Sequence, residues 1–120
     1  MASTSLHEDA KKIGDAVIDR HRAITSLMEE LEAIDWYDQR VHASDDPTLQ
    51  EVLAHNRDEE KEHAAMVLEW LRRHDPVLDK FLRLYLFSEG PIRERKEGAA
   101  ESGSKAAPSL GIGGLREARG

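Results

Sequence analysis

From Leu6 to Ile34 the apolar residues recur at the spacing of one helical face: Leu6, Ile13, Val17, Ile24, Leu27, Leu31 and Ile34. Ser5 and Glu8 stand three apart at the start of this run, the arrangement of a capping box. No proline follows until Pro47, and Gly14 is the one internal weak point. The pattern predicts a single long helix from about Leu6 to His42, roughly 55 Å at ~1.5 Å per residue. Ala43–Asp46 then reads as a short polar turn. Asp46 suits an N-cap, and Pro47 suits the first helical position, where its missing amide hydrogen would be unpaired anyway. A second helix follows, with Leu49, Val52, Leu53, Val67, Trp70 and Leu71 on one face. Asp75-Pro76 repeats the start signal, so the second helix should stop near His74 and a short third helix begin. Its apolar residues (Val77, Leu78, Phe81, Leu82, Leu84, Tyr85, Leu86) cover much of its circumference, and Gly90-Pro91 closes it. No strand pattern occurs. The expected fold is all-α, an antiparallel two-helix hairpin plus a short third helix.

Two helices cannot enclose their own apolar stripe, and one short third helix is too little to cover it. The expectation is therefore an obligate dimer with a four-helix core, with Phe81, Tyr85 and Phe87 left for a further interface. Residues 1–96 form the helical half-bundle. Residues 97–108, small, polar and rich in Gly and Ser, read as a flexible linker. Residues 109–120 form a third region, in which Leu110, Ile112 and Leu115 lie among glycines. Such an apolar segment needs something to bury it, and it reads as a docking peptide.

Composition narrows the chemistry. The 120 residues include no cysteine, which removes disulfides, thiolate metal sites and a cysteine nucleophile. No apolar run approaches the ~20 residues of a membrane span, and no basic-then-apolar signal layout leads the chain. A soluble, cytoplasmic protein with no membrane partner is expected. The net charge is −7; residues 98–120 contribute +1 (Lys105, Arg116 and Arg119 against Glu101 and Glu117), leaving −8 on residues 1–97. An acidic body favours cations and disfavours nucleic acid.

The second helix carries a Glu-x-x-His pair, Glu60 and His63, and the first carries Glu30. Di-iron carboxylate bundles take one Glu from each of two helices and one Glu-x-x-His from each of two more. This chain has one of each, so two copies complete the set. Glu30 lies 12 residues before His42 and Glu60 lies 13 after Pro47, which puts them at nearly equal height in the hairpin. Glu60 is in heptad register with Leu53 and Val67, and Glu30 has Leu27 and Ile34 as neighbours on its face, so both border the apolar stripe. Carboxylates there need a partner or a metal. The bland alternative is a solvated Glu59, Glu60, Glu62 run with an incidental histidine. A further variant is a zinc site from His55, Glu59 and His63 at i, i+4 spacing. Glu29 and Glu32, three apart, are candidates for a weaker reception site for incoming Fe(II). Trp36 and Tyr37 are either interface packing or an aromatic shield near the metals. His21, His42 and His74 read as surface histidines without partners.

Residues 28–40 (Met-Glu-Glu-Leu-Glu-Ala-Ile-Asp-Trp-Tyr-Asp-Gln-Arg) and 55–71 closely resemble the encapsulated ferritins of bacteria and archaea. Ser109-Leu110-Gly111-Ile112-Gly113-Gly114-Leu115-Arg116 resembles the peptide that docks cargo inside encapsulin shells. The resemblance implies a ferroxidase that oxidises Fe(II) to Fe(III) at a di-iron centre. The ligands would be Glu30, Glu60 and His63 of two subunits, the reception site Glu29 and Glu32, and the tryptophan near the centre Trp36. It implies dimers forming a ferritin-like four-helix bundle and assembling into an open, ring-shaped decamer that cannot store mineral alone. The iron would be stored by a surrounding encapsulin nanocompartment, entered through Leu110, Ile112 and Leu115. The rival class is a non-enzymatic metal buffer or structural helical cargo protein of such a shell. A rubrerythrin- or hemerythrin-like sensor is disfavoured by the missing cysteines and the sparse histidines.

Overall fold

The computed structural model describes residues 5–95, all of whose regular elements are helical. The linker and docking peptide expected over residues 97–120, with Leu110, Ile112 and Leu115, lie outside the described residues. The chain divides after His74 into two compact units. The first holds α1 (Ala10–Ile13), α2 (Asp15–Ala43) and α3 (Pro47–Arg73); the second holds α4 (Pro76–Tyr85) and a 3-10 turn at Ile92–Glu94.

The expected continuous helix from Leu6 to His42 is broken at Gly14. Gly14 has φ 89° and ψ 160°, so it ends the single turn of α1 and starts α2. A residue without a Cβ enters that region at little cost, whereas an L side chain is strained there. The capping box at Ser5 is also corrected. Residues Ser5–Glu8 are not helical, and the cap is Asp9, whose carboxylate accepts from the Lys11 amide at 3.0 Å. α2 is 29 residues long, so it spans about 43 Å.

The turn between α2 and α3 is built from side-chain hydrogen bonds. The Ser44 amide closes α2 on the Arg40 carbonyl, and the Asp46 amide donates to Ser44 Oγ at 3.1 Å. Asp46 caps α3 by accepting from the Thr48 amide at 3.0 Å, with Pro47 in the first helical position as the sequence predicts. Gln50 reaches back across the turn and donates to the carbonyls of Val41 and Ser44. It thereby satisfies a carbonyl of the last turn of α2 that has no helical partner. Farther along, the Arg57 guanidinium on α3 meets Asp38 of α2 at 2.8 Å. These contacts fix α2 and α3 as an antiparallel hairpin.

The hairpin has little interior. α3 turns Ala64 and Leu71 inward, one heptad apart, and they are its only buried apolar residues. On the same two helices Val17, Ile24, Leu31, Leu49 and Val52 remain exposed. No helix among the described residues is long and apolar enough to cross a membrane.

In the second unit, Asp75 caps α4 by accepting from the amides of Val77 and Leu78. Pro76 again takes the first helical position, and Leu84 is buried. The helix stops at Tyr85, earlier than the expected Gly90. Leu86 turns extended, and Phe87 adopts φ 59° with its ring fully exposed. That left-handed conformation costs a bulky L-residue roughly 1–2 kcal/mol.

The C-terminal end of α3 carries a strong ion cluster. Glu69 accepts from Arg72 Nε at 2.8 Å and from Arg73 Nε at 2.6 Å. The Arg72 hydrogen bond comes first among the causes that hold its carboxyl down to about 2 from the usual 4.5. A carboxylate with a depressed folded pKa stabilises the fold fully above its unfolded value. That contribution is lost as the pH falls from 4.5 towards about 2. Replacing Glu69 by Gln should therefore lower the denaturant midpoint at neutral pH, and the gap to the unaltered protein should close on acidification. A gap of constant size at pH 6 and pH 3 contradicts this account.

Candidate metal centre

Glu30 projects from the middle of α2, and Glu60 and His63 project from one turn of α3. The antiparallel register set by the turn brings the three together, so that one potential ligand atom from each lies within 4.8 Å of the others. His63 Nδ1 is 3.0 Å from Glu60 Oε1 and 3.8 Å from Glu30 Oε1. The equal height expected from residue counting is the observed geometry. The two carboxylates are largely covered, with side chains 25 % (Glu30) and 24 % (Glu60) exposed. His63 is more open, at 46 %, so it stands at the rim of the stripe and not within it.

The electrostatics are those of a crowded anionic pair. Glu30 is pushed above the usual carboxylate range, first by its hydrogen bond with Glu60, then by burial and by the Glu60 charge. Glu29 adds a smaller push in the same direction. Glu60 is held below the usual range, first by that same hydrogen bond with Glu30 and then by the one with His63. The imidazole of His63 is raised, chiefly by Glu60. The two carboxylates oppose each other's ionisation, while the imidazole beside Glu60 favours that group's charged form. Two carboxylates and one imidazole are the right donor set for a hard or borderline cation.

Other expected site residues are placed less directly. Glu29 is exposed and Glu32 is half-buried. Trp36 is 47 % exposed and follows Glu30 by six residues, which puts it on another face of α2, roughly 240° round. Tyr37 is in line with Glu30 two turns along, half-buried, with the Arg40 guanidinium 5.4 Å from its ring centroid. His55 pairs with Glu59 at 3.3 Å on the exposed side of α3, while His63 turns to Glu60 and Glu30. The His55, Glu59 and His63 zinc variant is therefore not assembled. Among the described residues, Glu30, Glu60 and His63 form the one group fit to hold a metal.

Several contacts were not foreseen. Arg57, one turn before Glu60, is only 19 % exposed and joins Asp38 across the hairpin while also holding Asp58 at 3.1 Å. It pins the two helices together beside the site. The hairpin register carries the signal, since it places residues near 38 opposite residues near 57. His42 and His74 are not partnerless. The His42 ring donates to the Asp38 carbonyl at 2.8 Å. His74 bonds to the Trp70 carbonyl and stacks on the Trp70 ring with centroids 3.8 Å apart. Both are i, i+4 pairs at helix ends, a spacing that can be read from the sequence.

Comparison with known proteins agrees with this architecture. A protein of Rhodospirillum rubrum described as an encapsulated ferritin-like protein is 56 % identical, over 96 % of this chain and 90 % of that one. A ferritin-like protein of Thermotoga maritima is 47 % identical, over 88 % and 93 %. An encapsulin nanocompartment cargo protein of Myxococcus xanthus is 34 % identical, over 76 % and 79 %. A crystal structure of a Nitrosomonas europaea protein superposes with a TM-score of 0.70 at 59 % identity, covering 72 % of this chain and 96 % of that one. Residues 5–89 match the EncFtn-like family, and the chain belongs to it.

Proposed function

We propose that the protein is a ferroxidase that oxidises Fe(II) to Fe(III) at a di-iron site completed only when two chains meet. The observation that carries the reading is the convergence of Glu30, Glu60 and His63 within 4.8 Å on a hairpin whose apolar side chains remain open. One hairpin offers two carboxylates and one imidazole; a two-fold partner doubles this to four and two. That is the complement used by di-iron carboxylate bundles. Iron is the substrate. Each Fe(II) gives up one electron, and dioxygen or peroxide takes two from the pair; dioxygen with two protons gives hydrogen peroxide. Carboxylate oxygens favour the harder Fe(III) product over Fe(II).

The chain's own residues have distinct parts in this scheme. Glu30 and Glu60 take the iron through carboxylate oxygens, and His63 takes it through a ring nitrogen that must be free of a proton. The exposed Glu29, whose charge already acts on Glu30, and the half-buried Glu32 receive the incoming cation. Tyr37, in line with Glu30, stands beside the approach, and a partner chain covers the exposed Trp36 on the other face. Dimers built this way assemble into a ring-shaped decamer. Storage takes place elsewhere, inside an encapsulin shell, and the names of the Rhodospirillum and Myxococcus relatives support that location. Residues 97–108 would tether the helical body to a docking segment at 109–120. Leu110, Ile112 and Leu115 would enter an apolar recess of the shell.

Three outcomes test the scheme. Replacing Glu60 or His63 by Ala should slow the growth of Fe(III) absorbance by more than about tenfold, since even outer partners of a metal ligand cost that much. Unchanged rates in both variants remove the site assignment. A metal buffer, the rival reading, would bind iron without consuming oxygen, and an oxygen electrode separates the two. Fe(II) should also drive the chain to a larger species in size-exclusion chromatography, because bridging ligands stabilise only the associated form; identical profiles with and without Fe(II) count against a shared site. Removing residues 109–120 should leave iron oxidation intact and prevent loading into a co-expressed encapsulin. Recovery of the truncated chain inside shells refutes the docking role.

A further inference from the structure

The described residues contain two methionines, Met28 and Met66, and they stand differently to the metal centre. Met66 follows His63 by three residues on α3, so the two side chains are surface neighbours with Cβ atoms roughly 5–6 Å apart. Going round α3 from the inward Ala64 and Leu71, one meets Glu60 within about 40°, then His63 and Met66 at further steps of about 60° each. Met66 is thus a neighbour of the imidazole, one turn along on its outward side, and it is 58 % exposed. It lines an open groove of about 480 Å³ whose wall also includes Trp70, with its ring covered on one face by His74. Met28, two residues before Glu30, lies on the far side of α2 from that carboxylate and is half-buried.

We propose that Met66 is a modification site, the thioether that accepts oxygen from hydrogen peroxide generated at the neighbouring metal centre. The proposal rests on the ferroxidase reading for its source of peroxide. Two Fe(II) and one O₂ with two protons give two Fe(III) and one H₂O₂. The Met66 sulfur then attacks one peroxide oxygen, the O–O bond breaks, and the second oxygen leaves as water. Sulfur is oxidised by two electrons and peroxide is reduced by two, so the step needs no other reagent. Its product is a sulfoxide, polar where the thioether was apolar, and reversible only by a separate reductase. The benefit is local. Peroxide left beside Fe(II) is split to hydroxyl radical, which attacks side chains without selection. A soft thioether one turn from the ligands takes up one equivalent of the escaping peroxide per chain until a reductase restores it. Trp70 and His74, on the same groove, are the side chains it shields.

The test uses the full chain, given Fe(II) in air, with Fe(III) absorbance followed and peptides then mapped by mass spectrometry. During iron oxidation the Met66 peptide should gain one oxygen several-fold more than the Met28 peptide. The His63→Ala variant, treated identically, should gain several-fold less oxygen at Met66. Equal gain at both methionines, no gain at either, or an undiminished gain at Met66 in His63→Ala overturns the proposal. A second arm treats the iron-free protein with hydrogen peroxide, and Met66 should again react several-fold faster than Met28. If no Fe(III) forms in the first arm, the ferroxidase reading fails by itself. The second arm still decides whether Met66 is the susceptible thioether, and equal reactivity there overturns that too.

Discussion

A pair of helices shares only one line of contact, and every side chain off that line meets water or another molecule. In this hairpin the line is held by Ala64 and Leu71, by the Arg57–Asp38 bridge and by Gln50 at the turn. Much else that looks like core in the sequence, including Val17, Ile24, Leu31, Leu49 and Val52, is exposed on the single chain, and Leu27, Ile34, Leu53 and Val67 are only half-buried. Burying that surface is worth about 25 cal/mol for each square ångström. The apolar surface left open is therefore set by the number of helices and not by any special residue. The candidate metal centre shares this setting, since Glu30, Glu60 and His63 sit where the shared line gives way to open surface.

The centre is also a place of deliberate electrostatic conflict. Glu30 and Glu60 would repel each other as two bare carboxylates, and the fold sets the His63 imidazole 3.0 Å from Glu60 and 3.8 Å from Glu30 against that repulsion. Structural ion pairs in the same chain behave differently. Glu69 is neutralised twice over by Arg72 and Arg73 at the end of α3 and has no charge left to offer a cation. The contrast separates carboxylates paired with guanidinium groups from a carboxylate pair that faces only an imidazole.

Much of the fold could be read in advance where the chemistry is local. Asp46-Pro47 and Asp75-Pro76 mark two helix starts, because a carboxylate cap and a proline in the first turn act within three residues. Glu30 and Glu60 could be matched in height, because two stiff helices joined by a short turn turn residue counts into distances. The errors have a common cause. Apolar periodicity continues through Gly14 and through Leu86-Phe87, but the backbone changes direction at both, by φ 89° and φ 59°. Periodicity reports which face is apolar and not whether the chain stays helical. The Arg57–Asp38 bridge was hidden for another reason, since Arg57 sits in a run of charges that looks uniformly solvated.

The turn acts as a gauge block for the centre. Gln50, Ser44 and Asp46 lock the zero point of both helices, and from there each ligand is located only by its count of residues. One residue inserted between Pro47 and Glu60 would rotate Glu60 and His63 by about 100° and lift them ~1.5 Å, out of reach of Glu30. Seven inserted on each helix would restore the facing direction at a new height. Within this architecture the metal centre can move along the hairpin only in whole heptads, and only if both helices lengthen together.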